Sequence, residues 1–298
     1  LSLGLRLEER RQLATLSTAQ LVPPPNNNTR CHGNRERSLM AHQLENAQRS
    51  TQIDLDSDAI VEARRDLAAC FRMAASLGMG EGICNHFSAV VPGRDDLFLV
   101  NPYGLSFDEV TASSLLICDF EGHVVAGDGM PEATAFFIHA RLHLGKPSAR
   151  VAFHTHMPNA TALTMTAGEP LLWAGQTALK FYDRTAVDET YNGLALDADE
   201  GDRIAQAMGE ADILFMRHHG VMVTAPTIAE AWDDLYYLER AAEVQLKAMS
   251  SGREVIPVTR ALAERTAAQI RAEDAESARL HLASVRRRLA KTGSDFAS

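Results

Sequence analysis

A chain of 298 residues that is 46% hydrophobic and 23% charged can bury a sizeable core and is not expected to be disordered or fibrous. Its formal net charge of -10 argues against a nucleic-acid surface, which needs clustered Lys and Arg, and leaves small soluble ligands as the expected partners. Cys31, Cys70, Cys84 and Cys118 are far apart and form no CxxC pair, so neither a disulfide framework nor a zinc knuckle is expected, and a reducing, cytoplasmic setting is.

No apolar run approaches the roughly 18 residues of a membrane span, and the opening LSLGLRLEERR lacks the apolar stretch of a signal peptide. Residues 1–50, with PPPNNN at 23–28 and Arg30, Arg35 and Arg37, carry too little apolar surface to offset ordering and read as a loose leader. Met40 opens a more ordinary stretch, which makes it the expected biological start. From about Asp54 to Ser76, apolar Ile60, Leu67, Cys70 and Phe71 recur at helical spacing behind a cap at Asp56 or Ser57, and Gly78 and Gly80 end the run. Strands follow at 88–91 and 97–100 around the turn Pro92-Gly93-Arg94-Asp95, with another at 115–119 before Glu121-Gly122. Further helices are expected at 131–144, 158–166, 200–209 and 227–249, and strands at 151–156 and 212–216. Thr227-Ile228-Ala229-Glu230 is a capping-box pattern. The tail 259–290 reads as a solvated helix or an interface arm. The mixed order predicts a layered α/β domain over 51–250, with 251–298 as a helical extension.

The chemistry gathers on histidines. In Val151-Ala152-Phe153-His154-Thr155-His156, strand alternation sends His154 and His156 to one face, where neutral imidazoles suit a divalent ion. H-x-H alone is only moderately specific. A second apolar strand, Ile213 to Met216, runs into Arg217-His218-His219-Gly220, and alternation lets only one of the two histidines join the pair without choosing which. Glu132 opens the helix of Pro131 to Leu144, where the helix dipole favours a carboxylate; beside a metal it could act as general acid or base, and elsewhere it merely complements the helix end. His139 and His143 lie one turn apart on that helix, but without the Glu of HExxH they read as part of a solvated face. No GxGxxG, P-loop or G-x-S-x-G motif is present, which leaves dinucleotide, nucleotide and serine-hydrolase chemistry without an anchor.

Together, Asn85-His86-Phe87-Ser88, Asn101-Pro102-Tyr103-Gly104, Pro131-Glu132, His154-Thr155-His156 and His219-Gly220 resemble the class II aldolase/adducin family, over about Ile60 to Met249. The resemblance implies a three-layer α/β/α sandwich around a mostly antiparallel sheet, assembled as a homotetramer with active sites at subunit interfaces. It selects His219 over His218 as the third metal ligand, matches Glu132 to the catalytic acid/base, makes Tyr191 the candidate for an assisting tyrosine, and places Asn85 and Ser88 among the substrate-binding residues. Where the sugar-phosphate aldolases of the family carry phosphate-holding residues, this chain has Cys84 before Asn85 and Met130-Pro131 before Glu132, which points to an unphosphorylated hydroxy-carbonyl or hydroxy-carboxylate. Arg217 and Lys180 are candidates to hold a carboxylate.

The expected activity is that of a metal-dependent carbon-carbon lyase, an aldolase or decarboxylase working through an enediolate that the ion stabilises, with one ion per subunit. Zinc suits aldol chemistry, and manganese or iron suits decarboxylation. Two other readings are an iron oxygenase with the same three histidines and an adducin-like interaction domain without catalysis.

Overall fold

The computed structural model describes Leu55 and residues 57–298; the expected leader and start at Met40 lie outside the described residues. Leu55–Ser298 make one unit. Helix α1 spans Asp58–Ser76, with Ser57 at its N-cap and Gly78, at φ 67°, just past its end. Four strands follow: β1 at His86–Val90, β2 at Leu97–Val100, β3 at Leu116–Asp119 and β4 at Val124–Ala126. Then come α2 (Ala133–Gly145), β5 (Val151–Thr155), α3 (Pro158–Thr164), a single 3₁₀ turn at Ala178–Phe181, β6 (Thr185–Asp188) and α4 (Ala198–Met208). The chain closes with β7 (Ile213–Met216), β8 (Gly220–Ala225), α5 (Ile228–Ser250), α6 (Arg260–Arg271) and α7 (Asp274–Lys291).

The eight strands form one sheet in the order β4-β3-β2-β1-β5-β8-β7-β6. Every pairing is antiparallel except β6 with β7. Register assigns each side chain to a face: His86 lies opposite His154, Ser88 opposite Ala152, and His154 opposite Met222, so these share one side of the sheet. That side is covered by α2 and α4, whose Ile138, Leu142, Ile204 and Met208 pack on Ala152, Leu214 and Met222. The opposite side carries Phe87 and Phe153, stacked at 4.0 Å between ring centroids, with Phe71 of α1 stacked on Phe87 at 4.7 Å. Helix α5 packs on β5 and β8 of that side, and α1 and α7 pack together with it. Each such buried ring is worth about 1.5–3 kcal/mol. The result is the expected three-layer sandwich around a mostly antiparallel sheet.

Helix α2 starts two positions later than its pattern suggested: Glu132 is the N-cap, so Pro131 precedes the helix instead of opening it. The tail is two helices, broken at Ala272 and Glu273, and the second is not the fully solvated helix that was one of the two expectations. Ala278, Leu282, Val285 and Leu289 of α7 are buried, and the last residues pair with the domain through Ala112 N–H to Phe296 C=O at 2.8 Å and Ser113 N–H to Ser298 C=O at 2.9 Å. Three strands went unread in the sequence: β4, β6 and β8, the last an apolar run that follows the histidine pair. Both β4 and β6 are edge strands of three and four residues, too short to show an alternation of their own.

Candidate metal centre

Three loops and strand ends converge at one edge of β5. His154 lies inside the strand and His156 just past its end. His219 comes from the tight connection between β7 and β8, where Met216 C=O receives His219 N–H at 3.1 Å and Met216 pairs with Gly220. His218 takes the left-handed conformation at φ 59° and is exposed, and it is His219 whose ring nitrogen converges with those of the pair. The ring centroids lie 4.8 Å apart for His154 and His219, and 5.0 Å apart for His156 with either partner. One ligand nitrogen from each lies within 4.8 Å of the others.

Gly220 serves a purpose the sequence did not show. Its φ is not positive; instead, a Cβ there would lie 2.6 Å from the Thr155 carbonyl and 2.7 Å from His156 Cδ2. A bare backbone is what lets β8 approach the two histidines of β5.

Hydrogen bonds orient the imidazole rings. His154 Nδ1 donates to Val221 C=O at 3.0 Å, and His156 Nδ1 donates to the Glu81 carboxylate at 2.5 Å. In the neutral ring each bond takes the proton on Nδ1 and leaves Nε2 free to ligate. These two bare nitrogens stand 3.1 Å apart, close to the edge of about 3.3 Å that metal–nitrogen bonds near 2.05 Å give a tetrahedron. Two lone pairs so near each other repel unless a cation lies between them, and that chemistry fits a transition ion. Burial, with His219, His86 and His156 as neighbours, holds the His154 imidazole well below its ordinary pKa. Burial and His156 push His219 down to about 4. Both rings are thus neutral, ligand-competent imidazoles at physiological pH.

A cavity of about 540 Å³ opens on the centre, lined by Glu81, His156, Met165, Tyr191, Leu194 and His219 among others. Tyr191 reaches it within the same chain, its ring 6.2 Å from that of His219. Asn85 is buried and ties together two residues that line the cavity, Glu81 and His156. Its Oδ1 accepts from Glu81 N–H at 2.8 Å and His156 N–H at 3.3 Å, while its buried Nδ2 has no protein partner. Ser88 lies elsewhere: it is fully buried, and its hydroxyl bridges His139 at 2.5 Å and His143 at 2.7 Å. Glu132 is not among the cavity-lining residues; one carboxylate oxygen caps α2 through Ala135 N–H at 2.9 Å and also accepts from the Thr134 hydroxyl. Lys180 is committed to Asp233, Asp234 and Asp274, and Arg217 to Glu189 and the carbonyls of Thr166 and Gly168. His139 and His143, expected on a solvated face, are buried. The residue the sequence did not signal is Glu81, which sits in a Gly-rich loop and reaches His156 only through the fold.

The description "Class II Aldolase and Adducin N-terminal domain" matches residues 65–246. The chain belongs to the class II aldolase and adducin family. Within that family it is 37% identical over 201 residues to a Caulobacter vibrioides protein named "Putative aldolase class 2 protein", covering 66% of this chain and 77% of that one. Alpha-adducin of Mus musculus is 31% identical over 194 residues, 63% of this chain but only 26% of the adducin. An aldolase II superfamily protein from Pseudomonas syringae, of known crystal structure, superposes with a TM-score of 0.76 at 30% identity, over 81% of this chain and 97% of that one. The class II aldolase fold therefore accounts for the sheet order and for the way β5 and the β7–β8 turn bring the histidines together. Among the described residues, no helix is long and apolar enough to cross a membrane.

Proposed function

We propose that His154, His156 and His219 hold one divalent ion per subunit and that the chain is a carbon-carbon lyase acting on an unphosphorylated hydroxy-carbonyl or hydroxy-carboxylate. The observation that carries this reading is the facing pair of bare nitrogens, His154 Nε2 and His156 Nε2, at 3.1 Å beside an open cavity. The ion, zinc first with manganese and iron as alternatives, supplies a Lewis acid that draws charge from substrate oxygens when a bond beside a carbonyl is made or broken. Glu81 holds the His156 ring in the tautomer that can ligate. Asn85 Nδ2, a buried donor without an acceptor, is the group to receive a substrate oxygen. Tyr191, in the cavity lining, is the candidate to donate its hydroxyl proton to a leaving oxygen. Glu132, which the family resemblance makes the acid/base, lies outside the lining of this cavity and is assigned the proton beside the carbonyl through the oxygen that its helix cap leaves free. Exposed Met165, Leu194 and Leu196 near the cavity mouth suit cover by a neighbouring subunit, which supports a homotetramer with sites at its interfaces. Cys70, Cys84 and Cys118 are all free thiols, which suits a reducing cytoplasm.

A second reading, a non-catalytic interaction domain, draws on the likeness to alpha-adducin and on the use of Glu132 as a helix cap. Metal content separates the two. Freshly purified or zinc-reconstituted protein is expected to hold about one ion per chain by plasma mass spectrometry, and His154→Ala and His219→Ala to hold none. Zinc-loaded wild type is also expected to exchange the carbon-bound protons of hydroxyacetone in D₂O, followed by NMR. An absence of bound metal after reconstitution favours the interaction domain.

A further inference from the structure

Behind the metal centre lies a chain of buried polar groups that the lyase reading does not use. His86 Nδ1 and His139 Nε2 are 2.7 Å apart, His139 Nδ1 and Ser88 Oγ 2.5 Å, Ser88 Oγ and His143 Nε2 2.7 Å, and His143 Nδ1 and the Ala149 carbonyl 2.6 Å. All four side chains are buried. The series links β1 to α2 and ends on the segment that leads into β5.

One end of the series has a fixed polarity. A carbonyl only accepts, so His143 must carry its proton on Nδ1. Burial pushes His143 down to about 4, so the ring is neutral and its Nε2 is an acceptor. The Ser88 hydroxyl then has to donate to it, which leaves Ser88 Oγ to accept from His139 Nδ1–H. His139 and His86 are buried as deeply, which disfavours a charged ring, so His139 Nε2 accepts from His86 Nδ1–H. The direction of every bond follows from the Ala149 carbonyl, and reversing any one of them sets two donors or two lone pairs against each other. The remaining nitrogen is His86 Nε2, necessarily without a proton. His86 is paired with His154 across the sheet, and their rings lie 4.8 Å apart. It does not belong to the group whose ligand nitrogens converge.

We propose that this one-way relay locks His86 as a bare acceptor beside the three-histidine centre, where Nε2 takes the hydrogen bond of a water or substrate hydroxyl held there, without itself ligating the ion. The assignment rests on the metal-centre reading and deepens it. A site with a permanent acceptor at this point favours a ligand that presents an O–H, so an α-hydroxy compound is preferred over its ether or its deoxy analogue. His86 is then an orienting residue for the hydroxyl, and Ser88, His139 and His143 are positioning residues that act through it.

The test is long-range ¹H–¹⁵N NMR on the full chain labelled with ¹⁵N-histidine, with and without zinc. In the metal-free protein, His86, His139 and His143 are expected in the Nδ1–H tautomer. On zinc addition, the Nε2 signals of His154, His156 and His219 shift by the large amount of a ligating nitrogen, and His86 Nε2 moves by the smaller amount of one accepted hydrogen bond. Ser88→Ala, which cuts the relay without touching a ligand, is expected to give His86 a mixture of tautomers. The proposal is overturned by His86 protonated at Nε2 in wild type, by a ligand-sized shift at His86, or by no shift at all while the three ligands respond. Failure of His154, His156 and His219 to respond to zinc sinks the metal-centre reading instead, while the metal-free tautomers still decide whether the lock exists. The wild-type spectra stand without the variant if Ser88→Ala does not fold.

Discussion

Gly220→Ala tests whether the approach of β8 to β5 is what assembles the centre. The added Cβ would meet the Thr155 carbonyl at 2.6 Å and His156 Cδ2 at 2.7 Å. Regaining an ordinary contact near 3.4 Å requires an opening of about 0.8 Å between strands. The Thr155 carbonyl is backbone, so relief cannot come from a rotamer change alone. Overpacking of this kind costs about 1–3 kcal/mol of stability. The same opening displaces His156 directly and His219 through its neighbour, and a site of this sort tolerates errors of only about 0.5 Å. Zinc affinity should fall at least about tenfold, the lower bound for changes to the groups that orient ligands. Urea denaturation of the metal-free protein reads the first effect, and competition with a chromophoric chelator reads the second. Gly201→Ala is the control: its Cβ would meet the Phe137 carbonyl at 2.5 Å and Arg141 Cγ at 2.8 Å between α4 and α2, so it should destabilise comparably and leave zinc affinity unchanged. Wild-type zinc affinity in Gly220→Ala, or equal losses in both variants, would refute the reasoning.

Glu132→Gln keeps an amide oxygen for the helix cap and should retain zinc, but it should lose hydroxyacetone proton exchange; retained exchange would assign Glu132 to capping alone. Metal-free protein should lose stability in acid through His143, which burial pushes down to about 4. The unfolded ring protonates near 6.5, so the contribution is complete above about pH 6.5, declines as pH falls toward 4, and levels off below, a loss on the order of 3 kcal/mol. Urea midpoints that stay flat across that window count against it. Lys180→Met should cost about 3 kcal/mol, because it removes the ammonium 3.1 Å from buried Asp233 and Asp234 and leaves them to His281 and Arg184 alone; a thermal midpoint equal to wild type would show that the cluster is not needed.

Much of this site was legible in the sequence because strand alternation is a strictly local rule: His154 and His156 share a face wherever the strand goes. The long helices were legible for a similar reason, since Thr227 with Glu230 and the spacing of Leu67 and Phe71 declare themselves within a few residues. The edge strands β4 and β6 were not, because a run of three or four residues becomes a strand only through its neighbour. Nor could sequence distinguish a solvated from a buried His139, since α2 has apolar residues around most of its surface and its burial depends on both the sheet and α4.

By itself, then, the sequence determined the elements, the H-x-H pair and the mixed α/β layering, all of which follow from periodicities a few residues long. Residue resemblance supplied the choice of His219. Only the tertiary structure decided that the His219 nitrogen converges with those of His154 and His156, that Gly220 is needed for close approach, that Glu81 orients His156, and that His86, Ser88, His139 and His143 form one hydrogen-bonded series. Each of these joins groups from separate elements, and such contacts are set by strand register and helix docking, which no local pattern encodes.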